Sequence, residues 1–194
     1  MSQARQLHNI ALIGFMGTGK TSVGHALASL LRFRLVDTDE LIESRAGKRI
    51  ADIFSHEGEA RFREFEREVV ENLCQCRRTV ISTGGGLVVN PDNMASLKIH
   101  ALVVCLWASP AAIFERVRHQ THRPLLNGPE PLARIQSLLA EREPFYRAAD
   151  VLVNTELRSV REVAQQVFHQ HRLARAHAPP SENSDSAKSD RAGL

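Results

Sequence analysis

The chain has 194 residues, enough for one domain with a sizeable core and small appendages. Its hydrophobic share of 43% is ordinary, its net charge of +3 only mildly basic, and its apolar runs, such as Ala101 to Trp107, far too short to span a bilayer. Lys and Arg are spread along the chain and aromatics make up 5%, so no nucleic-acid stacking platform is evident and arginines gripping small anions are the preferred reading.

Residues 1–7 read as an N-terminal extension without the apolar core of a secretory signal, which makes a cytoplasmic protein with no membrane partner the expectation. A strand over Asn9 to Ile13 runs into the glycine-rich stretch GFMGTGKTS, and a helix follows over Thr21 to Leu31. The next elements are a short strand, Arg34 to Val36, and a helix starting near Glu40. Over Gly58 to Cys76, Phe62, Phe65, Val69, Val70 and Leu73 recur at three- and four-residue steps, the stripe of an amphipathic helix. Strands over Thr79 to Ser82 and Ala101 to Leu106, then helices over Ser109 to His119 and Pro131 to Arg142, come next. Between those two helices the Pro- and Gly-bearing loop around Arg123 is a natural lid, at about residues 115–130. A last strand, Val151 to Val153, and a last helix, Val160 to His171, complete the domain. Residues 172–194 lack apolar period and read as a disordered tail. Strands separated by helices imply parallel pairing through right-handed crossovers, hence a three-layer α/β fold. Cys74 and Cys76 on a helix and Cys105 in a buried strand form no zinc-binding or disulfide pattern and read as reduced thiols.

Gly14-Phe15-Met16-Gly17-Thr18-Gly19-Lys20-Thr21 fits G-x-x-x-x-G-K-[ST] between a strand and a helix. Glycines let backbone N–H groups converge on phosphate oxygens, and the helix N-terminus adds partial positive charge. Lys20 can reach the β- and γ-phosphates, and the Thr21 hydroxyl can take a place on Mg²⁺. The stretch is built to hold a nucleoside triphosphate. No base-reading N-K-x-D motif appears and the chain is short for a helicase or transporter, which leaves small-molecule kinases.

Asp37-Thr38-Asp39 places two carboxylates at the end of a strand, where open α/β sheets bind ligands. One acid can face Mg²⁺ and the other an acceptor hydroxyl; equally, Thr38 or Asp39 can simply cap the following helix. Thr83-Gly84-Gly85-Gly86 allows close approach of backbone to a bound molecule, or is a plain turn. Arg63, Arg123 and Arg142 are anion-binding candidates that spacing alone does not bring together.

The ordered set GFMGTGKTS, LVDTDELIE, IADIF, GEARFREFE, ISTGGG, RPLL and EREPFYRAADV, from about residue 8 to residue 171, resembles the shikimate kinase family. The resemblance implies a P-loop kinase fold, a five-stranded parallel sheet of order 2-3-1-4-5 with a lid. It implies transfer of the γ-phosphoryl of ATP to the 3-hydroxyl of shikimate, on the route to chorismate and the aromatic amino acids, by a monomer needing ATP and Mg²⁺ and no nucleic acid. By position, Gly17, Thr18, Gly19, Lys20, Thr21 and Ser22 hold the nucleotide, with Arg118 and Arg158 near the adenine. Thr21 and Asp37 serve the metal. Asp39, Arg63, Gly84, Gly85, Gly86 and Arg142 bind shikimate, and Lys20, Asp39 and Arg123 carry catalysis. Glu66 orients Arg63 from one turn further along the helix, and Trp107 packs under the ATP site. Segment 119–122 is a short version of the family lid, and the serine-rich tail has no counterpart. Two other readings remain: a related kinase acting on another carboxylate-bearing acceptor such as gluconate, and a nucleotide-binding regulatory module without turnover.

Overall fold

The computed structural model describes Arg5, residues 7–119 and residues 129–176. Strand β1 (Asn9–Ile13) leads through the glycine loop to helix α1 (Lys20–Leu31), and β2 (Arg34–Asp37) leads directly into α2 (Thr38–Ala46). Helices α3 (Ile50–His56) and α4 (Gly58–Leu73) precede β3 (Thr79–Ser82). A 3₁₀ turn (Leu87–Val89) and α5 (Pro91–His100) then lead to β4 (Ala101–Trp107). The remaining elements are α6 (Pro110–Val117), α7 (Pro131–Arg147), β5 (Val151–Asn154) and α8 (Val160–Ala176).

The five strands form one sheet of order β2-β3-β1-β4-β5, and every pairing is parallel. Ile10 pairs with Val80 on one side and Leu102 on the other, so β1 lies at the centre. Every residue of β1 is buried, as expected of a strand covered on both faces. Alternate side chains divide between two cores. Ile10, Leu12, Val80, Leu102 and Val104 pack under α1 and α8. Ala11, Ile13, Ile81, Val103 and Cys105 pack with residues of α4, α5, α6 and α7 on the other face. The result is the three-layer α/β sandwich expected from the sequence, with the expected strand order.

Helices depart from the sequence reading more than strands do. Helix α2 starts at Thr38, not near Glu40, because Asp37 is its N-cap. Helix α5 has no apolar period to reveal it; Asn90 caps it and Pro91 begins it. Helix α7 continues to Arg147 past Pro144, which lies in its last turns and removes only one donor. Helix α8 likewise runs five residues beyond His171 to Ala176, so residues 172–176 are helical rather than tail. Residues 177–194, and the lid segment 120–128 with Arg123, lie outside the described residues.

Candidate active site

All the strands run parallel, so β1, β2 and β3 present their C-terminal ends along one edge, and the glycine loop, Asp37–Asp39 and Thr83–Gly86 stand there side by side. The loop folds over its own lysine. Lys20 Nζ donates to the carbonyl oxygens of Gly14 and Phe15, both at 2.9 Å, and Thr18 Oγ1 donates to Phe15 O at 2.8 Å. Gly14 has φ 134°, and a Cβ there would stand 2.2 Å from the Leu106 carbonyl oxygen, so the loop can lie this close to β4 only with glycine at that position. Gly19 caps α1 without a side-chain hydrogen bond, so no cap side chain takes up the first N–H groups of the helix, which stay available to an anion. Ser22 is exposed on the first turn of α1. This is a cradle for a di- or triphosphate.

The acidic segment works on both sides of that cradle. Asp37 Oδ1 accepts the Asp39 N–H at 3.0 Å, and Asp37 Oδ2 accepts from Thr21 Oγ1 at 3.3 Å. The cap of α2 is therefore Asp37, not Thr38 or Asp39, which corrects the capping alternative. Thr38 is buried and its Oγ1 accepts the Gly84 N–H at 2.9 Å, tying the triglycine loop to α2. Asp39, free of capping duty, lies against Gly84: a Cβ on that glycine would stand 2.5 Å from Asp39 Oδ1.

Each of the three glycines meets a different charged side chain. A Cβ on Gly86 would lie 2.9 Å from Arg63 Nη1, and one on Gly85 would lie 3.9 Å from Arg142 Nη1 and 3.5 Å from the Met16 nitrogen in the glycine loop. Arg142 Nη1 donates to Gly85 O at 3.4 Å, and its guanidinium lies 5.7 Å from the centre of the Phe15 ring. Asp39, Arg63 and Arg142 thus converge on one short wall, beside the phosphate cradle. Spacing in the sequence did not imply this convergence; the fold produces it.

Two carboxylates hold Arg63 in place. Its Nη1 bonds Glu66 Oε2 at 2.7 Å and its Nη2 bonds Glu59 Oε1 at 2.8 Å. Burial works against the Arg63 charge, but Glu66 and Glu59 outweigh it and raise its pKa. Glu66 itself is 1% exposed. Burial pushes its carboxyl above the ordinary value; Arg63 pulls against this, Asp39 adds to it and Arg142 opposes it. Both arginines and both acids therefore share one electrostatic neighbourhood.

Three contributors escaped the sequence reading. The Tyr146 hydroxyl donates to Gly85 O at 2.6 Å from the part of α7 beyond Pro144. Thr38 holds Gly84, as described above. Arg116 Nη1 donates to Gly17 O at 3.2 Å and to Thr155 Oγ1 at 2.9 Å, joining α6, the glycine loop and the end of β5. Arg118 pairs with Glu115 at 3.2 Å and Arg158 donates to Gln166, and both side chains are exposed. The i, i+4 relation of Tyr146 to Arg142 is the signal that was available for the first; Pro144 hid it. Trp107 lines a groove of about 370 Å³ with Leu139, Ala140 and Tyr146 of α7 and Leu152 of β5, and no glycine-loop residue is among its walls.

A phosphate cradle beside a wall where Asp39, Arg63 and Arg142 converge, on one sheet edge, defines a P-loop kinase of small molecules. The comparisons narrow this further. A family model described as shikimate kinase matches residues 16–172. A shikimate kinase of Thermodesulfovibrio yellowstonii is 46% identical over 165 residues, covering 85% of this chain and 95% of the relative. Among solved structures, a shikimate kinase from Acinetobacter baumannii in complex with shikimate superposes with TM-score 0.80 at 36% identity, covering 84% of this chain and 92% of the other. One from Aquifex aeolicus gives 0.76 at 36% identity, covering 87% and 98%. A gluconokinase from Sinorhizobium meliloti, at 20% identity and TM-score 0.57, shares the fold. The chain belongs to the shikimate kinase family.

Proposed function

We propose that this protein transfers the γ-phosphoryl group of ATP to the 3-hydroxyl of shikimate, giving shikimate 3-phosphate and ADP. The observation that carries the reading is the meeting of Asp39, Arg63 and Arg142 on the triglycine wall, with Gly85 against the glycine loop. Two guanidiniums match a carboxylate by paired hydrogen bonds, which suits an acid substrate. Asp39 stands where it can accept a hydroxyl proton as that oxygen forms its bond to phosphorus and the bond from phosphorus to the ADP oxygen breaks. Phosphoryl transfer is largely dissociative, so orientation of the hydroxyl and positive charge around the γ-phosphate matter more than a strong base. Lys20 and the α1 N-terminus supply that charge, with Arg123 as the lid arginine. Arg116, which already touches the loop at Gly17, holds the loop's outer end.

Thr21 and Asp37 offer two adjacent hard oxygen donors, which fits a Mg²⁺ ion that keeps most of its waters and takes few protein ligands. Among the described residues no group of three or more His, Cys, Asp or Glu is arranged to hold a metal ion. When bound with ATP, Mg²⁺ neutralises charge on the β- and γ-phosphates. The same reading makes the protein a cytoplasmic monomer that needs neither nucleic acid nor membrane. Among the described residues no helix is long and apolar enough to cross a bilayer.

An assay coupling ADP release to a spectroscopic signal, run across shikimate, quinate and gluconate, tests the proposal. Release with shikimate is expected. Release with gluconate alone, or with none of the three, overturns it.

A further inference from the structure

At the opposite edge of the sheet from the glycine loop, where β1 and β3 begin and α1 ends, lies a cleft of about 890 Å³. Arg77, Arg78, Arg172 and Arg175 line it, together with Phe33 and His171. Elsewhere on the molecule Arg5, Arg45, Arg49, Arg61, Arg63, Arg118 and Arg147 each have a carboxylate partner, while scattered ones such as Arg67, Arg134 and Arg161 have none among the described residues. Among the described residues none of the four cleft arginines has one. Four exposed like charges gathered in one concavity raise a positive potential there that no carboxylate among the described residues offsets.

Local structure holds the arginines in place. Arg77 Nη1 donates to the carbonyl oxygens of Cys74 at 2.9 Å and Cys76 at 3.0 Å, fixing its head at the end of α4. Arg78 takes φ 53°, a conformation unfavourable for a side chain of its size, and its guanidinium stands 5.8 Å from the Phe33 ring centre. Arg172 and Arg175 come from the last turns of α8. His8, also in the wall, feels the convergence: burial lowers its pKa, and Arg77 and Arg175 lower it further. The floor is apolar, with the Phe33 ring edge-on to the buried His171 at 6.0 Å between centres.

We propose that this cleft is a binding site for a small polyanion bearing at least two phosphate or carboxylate groups. Guanidinium forks pair with either group through parallel charge-assisted hydrogen bonds, and the cleft has the volume of a small-ligand site. A polyanion here would relieve the repulsion among the arginines.

Backbone-amide NMR of the full chain, titrated separately with inorganic tripolyphosphate and with citrate, tests the proposal. Saturating shifts at Phe33, Arg78 and Arg172 are expected for at least one probe, with a midpoint below about 1 mM at about 0.1 M salt. Saturation by tripolyphosphate alone, by citrate alone or by both each supports the site and identifies the anion it prefers. The Arg77→Ser/Arg175→Ser pair should raise that midpoint ~10-fold or more, while shifts at the glycine loop keep theirs. Arg172→Ser/Arg175→Ser, confined to the exposed face of α8, should do the same without touching the end of α4. The exposed pair Arg49→Ser/Arg161→Ser should leave it within about twofold, as expected of screened distant charges. Linear, unsaturated shifts at the cleft for both probes, or equal weakening by the control pair, overturn the proposal.

Discussion

Tyr146 and Gly85 are joined by a 2.6 Å hydrogen bond from the phenol to the glycine carbonyl, and Arg142, one turn earlier on α7, donates to the same oxygen at 3.4 Å. One helix thus fixes the middle peptide of the triglycine wall twice. The bond exists because α7 ignores Pro144 and continues far enough to carry Tyr146 inward, where it is 3% exposed.

Tyr146→Phe removes the shorter of the two bonds and leaves the ring packing intact. The carbonyl retains Arg142, so the stability loss should be about 1 kcal/mol, the ordinary net worth of a buried hydrogen bond. The shikimate KM should rise several-fold with little change in kcat, because Arg142 is drawn fully onto Gly85. Burial pushes the Tyr146 pKa up to about 12, so the folded state binds this proton more tightly than the unfolded chain, whose phenol titrates near 10. The contribution of this proton to stability is therefore fully present below about pH 10, and stability should fall between pH 10 and 12 by about 2 to 3 kcal/mol. Denaturant melts of both proteins across that range check this; a parallel decline in the Phe variant would place the loss elsewhere.

Gly84→Ala and Gly86→Ala should separate turnover from substrate affinity. At position 84 the added methyl would stand 2.5 Å from Asp39 Oδ1, and α2 holds the aspartate by its backbone, so the carboxylate must turn away. We expect kcat to fall ~10²-fold, the scale of a displaced acid–base group, with ATP affinity retained. At position 86 the methyl meets the end of the Arg63 side chain at 2.9 Å, which can shift. The expected result is a raised shikimate KM and a modest change in kcat. Steady-state kinetics with ATP titrated separately distinguish the two patterns.

How much of this could be read from the chain alone depends on whether the partners are neighbours in sequence. The phosphate cradle comes from consecutive residues, Gly14 to Thr21, and its chemistry is legible without the fold. The triglycine wall is legible as a close approach, but what approaches it is not. Arg63 and Arg142 lie on helices α4 and α7, far apart in the chain, and only the sheet order brings them together; family resemblance, not spacing, anticipated it. Helix α5 escaped because its buried residues, Asn93, Met94, Leu97 and His100, include two polar ones, which blurs the period. Arg116 escaped because a lone helical arginine looks like any solvated charge until its contacts with Gly17 and Thr155 are seen.

Asp39→Asn and Arg142→Lys test the two ends of the acceptor site. The amide cannot take a proton but keeps the size of the side chain, so kcat should fall ~10²-fold or more while ATP still binds. An equal loss of ATP affinity would assign Asp39 to the nucleotide side. Lysine at 142 keeps the charge but not the fork, and a point charge cannot form two parallel bonds to a carboxylate. The shikimate KM should rise, with kcat less affected. An unchanged KM would remove Arg142 from substrate binding.

Glu66 offers a pH-dependent check on the same wall. Its carboxyl is buried, and burial raises its pKa despite Arg63. The folded protein therefore binds this proton more tightly than the unfolded chain, whose carboxyl titrates near 4.5. By linkage, the contribution of Glu66 to stability is fully present below that value and declines as pH rises through the folded pKa. Glu66→Gln removes the titration while its amide oxygen can still accept from Arg63, which keeps Glu59 at 2.8 Å as a second anchor. The variant should be at least as stable as the parent at neutral pH, since a buried charge is costly even when paired. Its shikimate KM should nonetheless rise, because a neutral partner holds the guanidinium less firmly. Melts from pH 4 to 7, alongside kinetics at pH 7, provide the test: a variant that loses stability at neutral pH and keeps its KM would make Glu66 a structural ion pair with no part in positioning Arg63.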